Sequence, residues 1–279
     1  MRLRSLLFVP GDRPDRMAKA LGVGADALIL DLEDAVAPDT KPLARQEVAR
    51  FLGQPRDGSV RLFVRINPID GPLAIDDLTA ILPARPDGIV LPKAEGRGSL
   101  AALECHLAGD IAILPIVTET PAAMFRLGEY QGASERLAGL TWGAEDLPAA
   151  IGATTAREAD GGYTAPYQLA RAMTLFAAHA AGVAAIETVY PDFRDADGLA
   201  AYAARGRRDG FTGMMAIHPS QVPVINAAFT PSAEELARAQ AIVDLFAAHP
   251  GAGALQLDGR MVDAPHLKAA RTLLALGAP

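Results

Sequence analysis

One cysteine in 279 residues, Cys105, excludes an internal disulfide. It falls in a helical stretch and reads as an ordinary buried or half-buried thiol rather than a nucleophile. Basic charge is also scarce: 26 Lys and Arg stand against 33 Asp and Glu, a formal net charge of −7 without any like-charge block. The basic face of a nucleic-acid binder is therefore missing, although an acidic protein can still hold a local cationic pocket for small anions. No apolar window approaches the length of a membrane helix. The apolar run after Arg2 and Arg4 stops at Pro10-Gly11 and meets Asp12 and Asp15 at once, so it is not read as a secretory signal. The expectation is a cytoplasmic protein without nucleic-acid or membrane partners. Internal repeats and low-complexity linkers are absent too. What remains is a chain of which 50% is hydrophobic, enough for a sizeable core in one large domain or a domain with a tail.

The dominant pattern is alternation. Short apolar runs at Ser5–Val9, Ala27–Leu32, Leu62–Ile66, Gly88–Leu91, Ile111–Val117, Leu137–Trp142, Ala184–Val189 and Gly213–Ile217 are separated by Ala- and Leu-rich helical stretches. Near-continuous apolar runs belong to parallel strands covered on both faces. Eight of them with helical crossovers fit a closed (β/α)8 barrel over residues 1–230, with an open doubly wound sheet as the alternative. Residues 231–279 read as a helix–hairpin–helix extension. Ser232 and Glu235 form a capping-box pattern, Asp258-Gly259 a hairpin turn, and a last helix starts near Pro265.

In a barrel, chemistry gathers at the strand C-termini. There the sequence places Pro10-Gly11, Asp31, Glu33, Asp34, Arg65, Asn67, Lys93, Glu119, Asp146, Glu187, His218 and Gln221, while the strand interiors stay apolar. Ionisable groups converging on one face imply a site for a metal, an anion or both. Several of the same stretches resemble the citrate lyase β-subunit and malyl-CoA lyase family within the HpcH/HpaI aldolase superfamily. They are Arg4–Gly11, Asp31–Val36, Val64–Asn67, Leu91–Lys93, Glu119–Pro121, Gly143–Leu147, Gly210–Gly213, Ile217–Gln221 and Asp258–Pro265, in order along nearly the whole chain. The resemblance implies a TIM barrel with a C-terminal extension, assembled as a homotrimer or a hexamer.

Glu119 and Asp146 end consecutive strands, a suitable separation for two carboxylates on one Mg²⁺; a capping Glu and a turn Asp explain the residues equally well. The resemblance implies the metal role, with Glu145 a competitor for Asp146. Arg65, inside an apolar run, needs a partner: a substrate carboxylate, or an ion pair with Glu33 or Asp34, or both. Glu33 reads as a group that orients Arg65 or metal-bound water, and it joins Arg65 and Asp263 in the expected catalytic set. Lys93 reads as an ion-pair partner within the mouth. Arg13, Arg16 and Lys19 lie on one helical face. They form either a solvated stripe, with an Asp15–Lys19 pair, or a cradle for coenzyme A phosphates in which Arg16 and Lys19 matter most. Gly143, Ala144, Glu145 and His218 complete the expected substrate contacts. For His218, followed by Pro219, a rigid turn is favoured over a general base. Glu187 stands where the family pattern has Asp.

Asp263 has two readings: N-cap of the last helix, or, as the resemblance implies, an acid/base entering a neighbouring subunit's site. In that setting desolvation would raise its pKa. The implied reaction is Mg²⁺-dependent cleavage of citryl-, citramalyl- or malyl-CoA, or of a carrier-protein thioester, to an acetyl thioester and a 2-oxo acid. A malyl-CoA thioesterase, a subunit that works only with an acyl carrier protein, and a non-catalytic oxo-acid-binding barrel are the alternatives.

Overall fold

Every residue of the second, fourth and eighth strands is buried, as expected for strands covered on both faces. The computed structural model describes residues 2–277. Its strands are β1 (Ser5–Pro10), β2 (Ala27–Asp31), β3 (Arg61–Arg65), β4 (Gly88–Leu91), β5 (Ala112–Pro115), β6 (Gly139–Thr141), β7 (Ala184–Glu187) and β8 (Gly213–Ala216). Helices α1 (Pro14–Ala20), α2 (Lys41–Leu52), α3 (Ala74–Ile81), α4 (Arg97–Glu104) and α5 (Pro121–Met124) follow β1 to β5. Two helices, α6 (Asp146–Ile151) and α7 (Ala165–Ala181), follow β6; α8 (Ala196–Asp209) and α9 (Gln221–Ala228) follow β7 and β8. The sheet runs β5-β4-β3-β2-β1-β8-β7-β6, all parallel. Single bridges Ile113–Leu137 and Ile116–Thr141 join β5 to β6 and close the ring. The alternative of an open sheet is thereby excluded.

Side-chain parity orders the interior. Leu6, Ala27, Ile29, Phe63, Val90, Leu114, Ile186 and Met215 point inward and pack together. Full burial of such aliphatic and aromatic groups stabilises by roughly 1.5–3 kcal/mol each. Gly88 is obliged by this packing, because a Cβ there would lie 2.2 Å from the Phe63 ring.

Residues 3–226 form one compact unit and those from 227 onward a second. The second unit holds α10 (Ala233–Ala248), the antiparallel hairpin β9 (Ala254–Leu257) and β10 (Arg260–Asp263), and α11 (Ala264–Gly277). The capping box is formed in full: Ser232 accepts from the Glu235 amide, and Glu235 from the Ser232 amide. Ala239, Ile242, Val262 and Ala270 give this unit its own small core. Among the described residues no helix is long and apolar enough to cross a membrane. Cys105 departs from expectation. It caps α4 at the C-terminus and is exposed rather than buried.

Candidate active site

Asp31 and Arg65 end adjacent strands in register, and both continue the inward parity of Ile29 and Phe63. Their side chains therefore meet. Arg65 donates from Nε and Nη2 to the two carboxylate oxygens of Asp31, at 2.8 and 2.6 Å. Asp31 also accepts from the Glu33 and Ala35 amides, so the turn after β2 is built on it. Arg65 Nη1 lies 2.9 Å from Glu33 Oε2, but Oε2 makes no hydrogen bond, which makes the contact electrostatic. Asp34 is 3.8 Å away and largely exposed. Both expected carboxylate neighbours of Arg65 are present, yet its principal partner is Asp31. The guanidinium also lies 4.9 Å over the Phe8 ring.

Lys93 follows β4 in a left-handed conformation (φ 50°). Its ammonium reaches Glu33 Oε1 at 2.8 Å and Asp146 Oδ1 at 3.3 Å, as expected of an ion-pair partner in the mouth. Burial lowers the Lys93 pKa, but Glu33, Glu119 and Asp146 together raise it above the ordinary lysine value. Glu33, 4% exposed, is pushed up by burial despite Arg65 and Lys93, which lower it. Behind it Lys41 is buried and donates to the carbonyls of Leu32 and Glu33 and to Asn67, at 2.7 to 2.9 Å. Asn67 in turn bonds Asp77. Lys41 and Asp77 sit in helices, and no strand-end pattern pointed to them.

Glu119 is 3% exposed and accepts one hydrogen bond, from the Lys93 amide at 2.6 Å. Burial, with the charges of Asp146 and Glu33, raises its pKa to about 8. It is not a helix cap: Thr120 takes that role for α5. Asp146 opens α6, but the residue at the cap position is Glu145, whose side chain makes no capping bond. The capping explanation thus fails for Glu119, and Asp146 is the first residue of a helix rather than a turn residue. Gly143 makes room for the Glu119 side chain, since a Cβ there would lie 2.5 Å from Glu119 Cγ. Among the described residues no group of three or more His, Cys, Asp or Glu is placed to hold a metal. Two carboxylates, with water and substrate oxygens supplying the rest, fit a hard cation. A buried carboxylate with a single hydrogen bond also fits one.

These groups face a cavity of about 450 Å³ lined by Arg16, Asp31, Asp34, Arg65, Glu119, Gly143, Ala144, Glu145 and Asp146 among others. A neighbouring cavity shares Phe8, Pro10, Arg16 and Ile217 with it and adds Lys19 and His218. Arg16 stands at the junction. Asp15 pairs with Arg13 at 3.6 Å rather than with Lys19, which corrects the expected pair. His218 is held as a turn residue: Nδ1 lies 2.7 Å from Ser220 Oγ, and the ring stacks on Phe193.

One further expectation is corrected. Glu187 follows inward-pointing Ile186 by one residue and therefore points outward, away from the mouth. Fully buried, it accepts from Trp142 Nε1, Tyr202 and Arg171 at 2.5, 3.0 and 2.7 Å. Its longer reach serves this network behind β6 and β7. Asp263, in the second unit, stands next to α11 and lies 2.5 Å from His266 Nδ1. That contact lowers its pKa within the single chain, whereas the expected rise belongs to the setting of a neighbouring subunit's site.

The arrangement thus joins a carboxylate pair suited to a divalent cation with an oriented guanidinium and a second cationic cavity. The sequence pattern described as HpcH/HpaI aldolase/citrate lyase matches residues 4–219. The chain belongs to this family. Among HpcH/HpaI proteins, the citrate lyase subunit beta-like protein of Mycobacterium tuberculosis is 38% identical over 268 residues, 96% of this chain and 93% of the relative. A (3S)-malyl-CoA thioesterase of Cereibacter sphaeroides is 35% identical over 98% of this chain and 93% of its own. The crystal structure of M. tuberculosis CitE with magnesium, acetoacetate and coenzyme A superposes with a TM-score of 0.83 at 36% identity, covering 99% of this chain and 98% of that one. The HpcH/HpaI barrel is therefore shared.

Proposed function

We propose that this chain is a Mg²⁺-dependent carbon–carbon lyase that splits citryl-, citramalyl- or malyl-CoA, or the matching carrier-protein thioester, into an acetyl thioester and a 2-oxo acid. The observation that carries the reading is the Asp31-oriented Arg65 beside the Glu119–Asp146 pair in one cavity. Magnesium, which the CitE structure contains with coenzyme A, would be held here by Glu119 and Asp146; it supplies Lewis-acid polarisation of the substrate's hydroxyl and carboxylate. Arg65, with Nη1 unused by Asp31, binds the carboxylate end and stabilises negative charge as the carbon–carbon bond breaks. Glu33 and Lys93 hold Arg65 and Asp146 in place. Gly143, Ala144 and Glu145 form the wall beside the carboxylates, while Arg16, Lys19 and His218 carry the thioester's phosphate-bearing arm.

Asp263, entering from a second copy of the chain where the substrate would displace His266, takes the proton of the substrate's hydroxyl as the carbon–carbon bond breaks and delivers it to the enolate carbon. Asp263→Asn should lower kcat by about 10²–10⁴-fold, the range of general acid–base catalysis, with little change in KM. Full activity in that variant would end the assignment. The assembly implied is a homotrimer or hexamer. Leu169, Met173 and Phe176 form an exposed apolar stripe on α7 at helical spacing, 59%, 37% and 66% exposed, that a second copy would cover. Phe176→Glu is expected to shift sedimentation toward monomer; an unchanged profile removes this face from the interface.

The deciding experiment is mass-spectrometric analysis of products from each of the three acyl-CoA substrates with Mg²⁺ and with EDTA. Acetyl-CoA with a matching oxo acid, lost on chelation, supports the lyase. Free CoA with intact hydroxy acid makes the chain a thioesterase, the reading that the C. sphaeroides relative favours. No turnover, with oxo acid still bound, indicates a carrier-protein substrate or a binding role.

A further inference from the structure

A second polar cavity, of about 390 Å³, opens between the loop before α7, Tyr190 and α8 from Gly198 to Arg205. It shares no lining residue with the mouth cavity. Two arginines face it, each laid over a tyrosine ring: Arg157 over Tyr163 at 4.1 Å and Arg205 over Tyr202 at 5.0 Å. A stacked guanidinium turns its N–H edge away from the ring, the geometry that favours oxyanions.

Of the nearby carboxylates Asp160 lines the cavity and Asp195 lies outside it, and neither pairs with the two arginines. Asp160 accepts from the Gly162 amide at 2.9 Å, and Asp195 accepts from Tyr190 and the Gly198 amide at 2.7 and 2.9 Å. Arg157 spends two nitrogens on its own loop, on the Gly161 carbonyl and the Tyr163 hydroxyl. Among the described residues neither arginine makes an ion pair, and Arg205 Nε is buried without an acceptor. Two guanidinium groups without a carboxylate partner at one cavity favour an anionic ligand.

We infer that Arg157 and Arg205 form an accessory oxyanion site, which takes a small carboxylate or phosphoryl group at the rim between β6 and β7. The ligand's oxygens meet the outer guanidinium edges, and the tyrosine rings form the walls.

Calorimetric titration of the full-length protein with inorganic phosphate and with acetate tests this. Phosphate binding tighter than acetate identifies a phosphoryl ligand, and the reverse a carboxylate. Binding should survive Arg16→Gln/Lys19→Gln, which removes the other cationic cavity, and weaken at least tenfold in Arg205→Gln. Arg157→Gln, at a half-buried loop position, gives a second variant should Arg205→Gln fold poorly. Arg205→Lys keeps the charge without the planar fork and should restore only part of the affinity. Unaltered binding in both glutamine variants, loss of all binding in Arg16→Gln/Lys19→Gln, or no binding of either anion overturns the proposal.

Discussion

Replacing Glu119 by glutamine is expected to abolish Mg²⁺-dependent turnover while making the metal-free protein more stable at alkaline pH. The loss of activity should be at least about 10³-fold, some 4 kcal/mol of transition-state stabilisation. The gain in stability follows from burial. Glu119 has a folded pKa of about 8 against an ordinary 4.5. Between those values the folded chain keeps a proton that the unfolded chain has lost, so metal-free stability falls as pH rises through this window. At about 1.4 kcal/mol per pH unit, the ionised carboxylate costs several kcal/mol above pH 8. Glutamine removes that cost and keeps the shape. Melting temperatures in EDTA at pH 5 and pH 8.5 check it: the variant should exceed the parent by several degrees only at the higher pH. A variant that melts no higher at pH 8.5, or that still turns over with Mg²⁺, refutes the role given to this carboxylate.

Arg65→Met should have the opposite stability effect together with a similar loss of function. Its removal leaves Asp31, 1% exposed, without its cation, and leaves Glu33, 4% exposed, with Lys93 alone. Stranding buried charge in this way costs about 3–5 kcal/mol, and losing an oriented donor at developing negative charge costs about 10²–10³ in kcat. Arg65→Lys separates the two effects. The charge survives but the fork to Asp31 does not, so much of the stability should return while turnover stays low. Urea denaturation and steady-state kinetics on both variants provide the test. If lysine restores kcat as well, Arg65 acts as a point charge and its bidentate orientation is irrelevant.

These effects trace back to how far apart the interacting residues lie in the sequence. Strand existence was legible because each apolar run is local, and the capping box and the hairpin turn were legible because their partners lie within a few residues. Even so, α6 and α9 escaped notice. Each is short and carries a proline in its first turn, which reads as a break although a helix start tolerates it. The span Leu137–Trp142 shortened to a three-residue β6, since only isolated bridges join it to β5.

The site was read in part. Arg65, Glu33, Lys93, Glu119 and Asp146 stood out as ionisable groups after apolar runs, and they do share one corner of the mouth. Asp31 as the partner of Arg65 depended on the register between β2 and β3, which no single strand contains. Glu187 shows the same limit from the other side. Strand-end position suggested the mouth, whereas parity with Ile186 turned it outward to Trp142 and Arg171. Lys41 stayed hidden because a lysine opening a helix looks solvated until the neighbouring strand ends fold over it.

By itself, then, the sequence determined the alternating βα order, the helix–hairpin–helix tail and the residue types available at the strand ends, because these depend on short-range periodicity and turn chemistry. Only the tertiary structure decided barrel closure, the Asp31–Arg65 pairing, the outward turn of Glu187 and the burial that lifts the Glu119 pKa. Each of those depends on which distant segment excludes water from a given group, and burial is a property of the assembled fold.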